Sequence, residues 1–297
     1  TPPTRQRLCE SVPRVTWWLN ARVTAMSLPH SLDRLKVAKL HKAGIHVEGW
    51  LGSGATSTVY AASRLPADPA QPLLALKLLH AEHAGHFELV LRLLNEERAA
   101  ACATHPGLIR IYSSGAVEGQ PYLLMERCYQ TLAQRAPALS VPDRIEVVTQ
   151  VAKAAAALHQ AGVVHRDLKP SNIMFLPGPG LLAKIVDLGL AKLKTGGAAL
   201  PVSTAATDVL GTADYRAPEL WISAKDADGS ADVYALGVIL YELLTGELPF
   251  LARRESELMN LHLFEAPCLQ QQSPGPLAEL LQRMRAKSRL QRPAMQQ

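Results

Sequence analysis

The spacing of apolar residues changes character twice along the chain. Up to about residue 44 no steady period holds. SLDRLKVAKLHKAG, from Ser31, is short, basic and weakly amphipathic, with Leu32, Leu35 and Lys39 along one face. It reads either as a membrane- or partner-binding helix or, more plainly, as a solvated first helix or leader. From Ile45 short alternating stretches take over. GWLGSGATSTVYAASR alternates around a glycine turn and PLLALKLLH follows as an apolar strand, which predicts an antiparallel sheet. One helix interrupts it, HFELVLRLLNEERAAACATH, with Phe87, Val90, Leu91, Leu94 and Arg98 on one side. It stops at His105-Pro106-Gly107. GLIRIYSSG and PYLLMERC read as two more strands about a turn at Glu118-Gly119.

Beyond Cys128 to Gln134 the period becomes helical. PDRIEVVTQVAKAAAALHQAG carries Ile145, Val148, Val151, Ala155 and Leu158 at helical spacing, with Gly162 as its stop. ADVYALGVILYELLTG is apolar nearly all round, as suits a central buried helix, and PLAELLQRMRAKSRLQRP is amphipathic. The pattern predicts a small β-rich lobe with one main helix, then a larger helical lobe, with the break near Cys128.

Composition narrows the functional classes. Of 297 residues 48% are apolar and 19% charged, so a large core can form and global disorder is excluded. Lysine and arginine number 31 against 26 acidic residues, a mild +5 that does not by itself indicate nucleic acid. The 4 Phe, 4 Trp and 7 Tyr are too sparse for base-stacking platforms. Cys9, Cys102, Cys128 and Cys268 show no paired spacing, so isolated reduced thiols in a cytoplasmic protein are expected rather than a disulfide framework or a zinc cluster. No stretch is apolar over the length a membrane span needs; the run from Val233 to Leu244 is short and interrupted by Glu242. The first residues carry charges with no apolar run after them, unlike a secretory leader.

Three segments carry chemistry. In LGSGATSTVY, Gly52 and Gly54 lack the Cβ atoms that would keep backbone N–H groups away from phosphate oxygens, though a glycine hairpin also serves as a plain turn. On the next strand Lys77 stands among apolar residues, which is costly unless the lysine is paired or snorkels to solvent. Glu96 on the following helix could supply the partner. VVHRDLKPSNIMF is far more specific. Asp167 could accept a hydroxyl proton, Lys169 neutralise charge on a transferred phosphoryl group, and Asn172 complete a Mg²⁺ shell. In KIVDLGLAK, Asp187 ends an apolar strand, where a carboxylate suits a second metal contact.

Taken together and in this order, these segments resemble a eukaryotic-type Ser/Thr protein kinase domain, similar to bacterial members of the family, over about Ile45 to the end. The Gly-rich loop, the strand lysine, HRDLKPSN, a DLG in place of DFG, and YRAPE at 215–219 all fall in the family's order. The resemblance implies an α+β, bilobal protein-kinase-like fold, with residues 1–44 as an N-terminal extension, a small antiparallel N-lobe over about 45–127 and a helical C-lobe over about 128–297. It implies Mg-ATP (or Mn²⁺) as cofactor and protein Ser/Thr hydroxyls as acceptors, with neither nucleic acid nor a membrane span involved. Lys77 would contact the ATP phosphates and pair with Glu96, rather than Glu97. Asp167 would be the catalytic base, Lys169 the γ-phosphate contact, and Asn172 and Asp187 the metal ligands.

The same resemblance makes Leu51, Gly52, Ser53 and Gly54 the phosphate cover and Met125 the gatekeeper. Backbone groups of Glu126 and Cys128 would bond the adenine, with Val59 and Ala75 above it and Met174 below. His165 and Leu188 would join a buried stack between the lobes, Glu219 would pair with Arg292, and Asp232 would anchor the catalytic loop. Ser203, Thr204 and Thr207 are candidate autophosphorylation sites in a small, polar, Gly-rich loop, with Arg166 as a partner for such a phosphate. Thr212 would help position the substrate hydroxyl. Ser57 replaces the third loop glycine and Leu188 the usual Phe, and neither change removes a catalytic group. A silent scaffold of the same fold and a small-molecule kinase are the alternatives.

Overall fold

The computed structural model describes residues 32–66, 71–178, 180–193, 210–223, 227–265 and 275–295. Helix α1 (Arg34–Lys42) begins at Asp33, whose side chain accepts the Lys36 N–H and so satisfies one open donor of the first turn. Its buried face differs from the expected one. Leu40 is buried with Leu32, and Val37 packs beside them, whereas Leu35 is 56% exposed and Lys39 is exposed. The cap explains the difference: Leu32 precedes the helix and does not share its phase. Nor is α1 a freely solvated helix. Leu40 sits in one apolar cluster with Ile45, Val47, Tyr60 and Leu76 of the sheet, and Lys39 ion-pairs with Glu118.

The sheet follows. Strands β1 (Ile45–Ser53), β2 (Ser57–Arg64) and β3 (Leu74–Leu79) precede α2 (Phe87–Cys102); β4 (Ile111–Val117) and β5 (Gln120–Glu126) complete it. All pairings are antiparallel, in the order β1-β2-β3-β5-β4. The β4–β5 turn places Glu118 at φ 51° and Gly119 at φ 75°, the left-handed pair that two-residue hairpins favour.

Helix α2 turns inward only part of the side its apolar spacing predicts: Leu91 is buried and Val90 and Leu94 are half-buried, but the ends of that side face out. Phe87 is 71% exposed and Arg98 is exposed, while Leu91, Leu93, Ala99 and the polar Asn95 and Glu96 are buried. The two polar residues are buried because each finds a partner in another element, which apolar periodicity does not register.

In the second lobe β6 (Gln130–Thr131) and α3 (Leu132–Arg135) lead to α4 (Val141–Gln160), opened by a reciprocal capping box between Ser140 and Asp143. Val148, Val151, Ala155 and Leu158 are buried as expected; Ile145 is partly exposed near the first turn. Short strands β7 (Val163–Val164), β8 (Ile173–Phe175), β9 (Ala183–Ile185) and β10 (Lys192–Leu193) carry the chain beneath the first lobe. Helices α5 (Pro218–Ile222), α6 (Gly229–Thr245), α7 (Glu255–Phe264) and α8 (Pro276–Met284) follow. Helix α6 is buried along nearly its whole length and shares one core with α4, β8 and β9. The fold is α+β and bilobal.

Candidate active site

The site lies where β3 and α2 of the first lobe meet the β7–β8 and β9–β10 connections of the second. Strand β3 directs Lys77 out of the sheet core, and Lys77 Nζ lies 2.7 Å from Glu96 Oε2 and 3.5 Å from Asp187 Oδ1. Burial alone would lower the Lys77 pKa, but the Asp187 and Glu96 carboxylates outweigh it and hold it above the ordinary lysine value. The Lys77 cation in turn lowers Asp187. Burial raises the Glu96 pKa, with the Lys77 cation opposing it. The neighbouring Glu97 instead accepts the Ser114 hydroxyl at 2.7 Å.

The HRD segment is fixed from below. Asp232, fully buried on α6, accepts the backbone N–H of His165 at 2.9 Å and of Arg166 at 2.8 Å, and contacts His159 Nε2 at 2.7 Å. Burial would raise its pKa; the His159 bond, with help from the Arg166 amide, reverses that and holds it low. Arg166, inside that grip, lies in the left-handed region at φ 68°, and Asp187 lies there too at φ 61°. Such non-glycine conformations cost on the order of 1–3 kcal/mol each and persist only when their surroundings enforce them. The Asp167 N–H donates to His165 Nδ1 at 3.2 Å, so that nitrogen is the acceptor and the proton sits on Nε2, 3.3 Å from the Val186 carbonyl.

Asp167 Oδ2 lies 3.0 Å from Lys169 Nζ, and Asn172 Nδ2 donates to both its backbone carbonyl and Oδ2, at 2.9 and 3.0 Å. Burial raises the Asp167 pKa; Lys169 opposes this and the Asp187 carboxylate adds to it. With its amide nitrogen spent on Asp167, Asn172 has its side-chain oxygen left to offer.

Above these groups Val59, Ala75, Met125 and Cys128 pack with Ile109, Ile111 and Val186 into one apolar cluster. Met174, half-buried on β8, is not among its members. Burial, assisted by the nearby Glu126, pushes the Cys128 thiol up to about 12. The Glu126 amide donates to the Arg110 carbonyl at 2.9 Å, and its carboxylate pairs with Lys184 at 2.6 Å. Leu51, Ser53 and Gly54 are exposed at the β1–β2 turn. A Cβ at Gly52 would meet nothing within 4 Å, so packing within the protein does not require glycine there. Ser57 starts β2 and its carbonyl accepts the Gly54 N–H at 2.9 Å.

Leu188 and His165 are both wholly buried. Glu219 and Arg292 form a two-pronged pair, with Nη1–Oε1 at 2.6 Å and Nη2–Oε2 at 2.9 Å. Arg166 Nε donates to the Leu190 carbonyl at 2.8 Å. Ser203, Thr204, Thr207 and the Thr212 side chain lie outside the described residues.

Three contributors escape motif reading. Asn95 donates Nδ2 to the carbonyls of Leu188, Gly189 and Ala191; His159 backs Asp232; Lys184 holds Glu126. Their only sequence signal is a polar residue at a buried helical or strand phase.

A lysine–glutamate pair across a five-stranded lobe, over a buried HRD loop and a DLG turn, defines a protein kinase domain. The protein kinase domain model matches residues 45–297, and the chain belongs to that family. It is similar to the serine/threonine-protein kinase Pkn1 of Myxococcus xanthus, 38% identical over 204 residues, 67% of this chain and 28% of that protein. It is likewise similar to PknJ of Mycobacterium tuberculosis, 36% identical over 215 residues (71% and 35%), and to PkaA of Streptomyces coelicolor, 31% over 259 residues (82% and 46%). The chain therefore spans less than half the length of these curated relatives.

Proposed function

We propose that this chain transfers the γ-phosphoryl group of ATP to serine and threonine hydroxyls of proteins, with Mg²⁺ (or Mn²⁺) as the accompanying ion. The observation that carries this reading is the closed Lys77–Glu96 pair, 2.7 Å apart, with Asp187 3.5 Å from the same lysine. It presents one cation and one carboxylate to a phosphate chain from two separate lobes. The family membership and the similarity to bacterial Ser/Thr kinases support it.

The residues fit the ion. Asn172 and Asp187 offer an amide oxygen and a carboxylate, the hard oxygen donors that Mg²⁺ takes alongside phosphate. When bound, the ion neutralises phosphate charge. Asp187 stays ionised because Lys77 lowers its pKa. Lys77 holds the inner phosphates, and the Gly52–Gly54 backbone covers them. The apolar cluster of Val59, Ala75 and Met125 takes the adenine, with Met174 closing from below. Because the Glu126 amide is engaged by Arg110, base hydrogen bonds fall to the Glu126 carbonyl and the Cys128 amide. Asp167 orients the acceptor hydroxyl and accepts its proton; Asn172 and Lys169 fix that carboxylate. Phosphoryl transfer depends chiefly on such positioning and electrostatics.

Ser203, Thr204 and Thr207 are the proposed autophosphorylation sites, and Arg166 the group that would read them. The proposed setting is cytoplasmic; no helix among the described residues is long and apolar enough to cross a membrane.

The test is incorporation of radiolabelled phosphate into a protein acceptor by wild type and Asp167→Asn. A loss of about 10²–10⁴-fold is expected from removing a general base. Equal incorporation by both, or transfer to small hydroxylated molecules but to no protein, would sink the proposal.

A further inference from the structure

Between β3 and α2 the chain runs His80-Ala81-Glu82-His83-Ala84-Gly85-His86, a histidine at every third position. A short 3₁₀ turn over Ala81–His83 folds this stretch back on itself. The His80 and His83 rings stack with centroids 5.9 Å apart, and Glu82 Oε1 lies 3.8 Å from His83 Nε2. One ligand-type atom from each of His80, Glu82 and His83 falls within a mutual 4.8 Å. Neither the motifs nor the proposed transfer chemistry uses this cluster.

Both imidazoles are already oriented by the Gly-rich loop. His83 Nε2 lies 3.3 Å from the Ala55 carbonyl. His80 Nε2 lies 3.1 Å from Thr58 Oγ1 and 3.3 Å from Ser53 Oγ. Metal-bound histidines commonly donate their second ring nitrogen to such oxygens, which fixes tautomer and ring angle. On His83 the remaining nitrogen, Nδ1, is buried and has no hydrogen-bond partner among the described residues. A lone pair in that position is costly unless something takes it.

We propose that His80, Glu82 and His83 form a binding site for a divalent transition-metal ion of the zinc class, which tethers the turn after β3 to the Gly-rich loop. Two imidazoles and one carboxylate select such an ion over Mg²⁺. Zinc bonds to nitrogen and oxygen of about 2.0–2.1 Å put tetrahedral ligands roughly 3.4 Å apart, so side chains whose ligand-type atoms fall within a mutual 4.8 Å must close further on the ion. Glu82, its side chain 76% exposed, is free to make that move. Loop stiffening would then bear on ATP cover, a consequence that rests on the proposed function; the site itself does not.

Metal-free full chain is titrated with Zn²⁺ against a chromophoric chelator, and with Co²⁺ by visible absorption. One equivalent should bind, with affinity reduced at least about tenfold in Glu82→Gln and in His83→Gln, and a comparable loss in Thr58→Val, which removes only an outer partner. Glu82 is exposed, so its variant tests the site without threatening the fold. Hydrogen exchange of residues 52–57 should slow on adding Zn²⁺ to wild type and not to Glu82→Gln. Absence of saturable binding, equal affinity in Glu82→Gln, or a cobalt–thiolate charge-transfer band placing the ion on cysteine would overturn the assignment. Unchanged loop exchange with metal bound would overturn the tether.

Discussion

The side-chain amide of Asn95, in the middle of α2, donates to the Ala191 carbonyl at 2.8 Å, across 96 positions of sequence. The same Nδ2 reaches the Gly189 carbonyl at 3.1 Å and the Leu188 carbonyl at 3.4 Å. One buried amide thus ties the helix that carries Glu96 to the turn that carries Asp187. The lysine between those two carboxylates is positioned from both sides by the same contact.

Asn95→Leu keeps the size of the side chain and removes the donor. Leaving buried carbonyls unpaired costs on the order of 1–3 kcal/mol, so thermal unfolding should shift down. Phosphate transfer at saturating ATP should fall further than the stability loss explains, because Glu96 and Asp187 lose their common tie. Unchanged turnover in a destabilised variant would show the amide to be structural only.

Lys77→Met should reduce transfer by about 10²-fold or more, the scale for deleting one preorganised electrostatic group. Glu96→Gln keeps a polar contact but removes the charge, and should raise the KM for ATP. Glu97→Gln, whose carboxylate accepts the Ser114 hydroxyl rather than meeting Lys77, should leave both parameters alone. Steady-state kinetics of the three variants separates the adjacent glutamates.

The pH profile should report Asp167. Burial raises its pKa, so the carboxylate becomes protonated at a higher pH than an ordinary aspartate. Turnover should therefore fall as pH drops through that raised value. Lys169→Met removes the nearest opposing cation and should move the acidic limb to still higher pH. An acidic limb that stays in place would assign it to another group.

Asp232 has the opposite sign. Its pKa is held below the unfolded value, so its contribution to stability is present above the unfolded carboxylate pKa and is lost as pH falls through the folded one. In Asp232→Asn the stability curve should be lower at neutral pH and flatter on the acid side. Denaturant titrations across acid pH test this, and equal slopes for both proteins would refute it.

Arg292 has a fully buried guanidinium opposite Glu219. Arg292→Met should destabilise by about 3–5 kcal/mol, since it strands a largely buried carboxylate. The double variant with Glu219→Gln should recover part of that, because the stranded charge is gone. Chemical denaturation of the four proteins in the cycle gives the coupling directly.

Much of this architecture is legible along the chain. The change from alternating to helical spacing near Cys128 separates the lobes, and the order of glycine turn, strand lysine, HRD, DLG and APE segments identifies the family. Lys77 is conspicuous because a lysine among apolar strand residues needs a carboxylate, and Glu96 stands on the next helix. The faces of α1 and α2 are less legible. Leu32 lies ahead of the Asp33 cap and so out of phase with its helix; Asn95 and Glu96 turn inward while Phe87 points out. Apolar periodicity scores each element against water, and a polar side chain with a partner behaves as buried without looking so.

What the sequence by itself determined is local: the period of each element, the caps and glycines that end them, and the residue types spaced to act on phosphate. What only the tertiary structure decided is which distant polar groups meet. Asn95 with the DLG turn, Glu126 with Lys184, and Asp232 with His159 and the HRD amides are joined across 58 to 96 positions. No periodicity encodes such pairings. Their geometry follows from how each lobe packs its own core and from where the lobes meet, and a buried polar group is stable only where that packing delivers its partner.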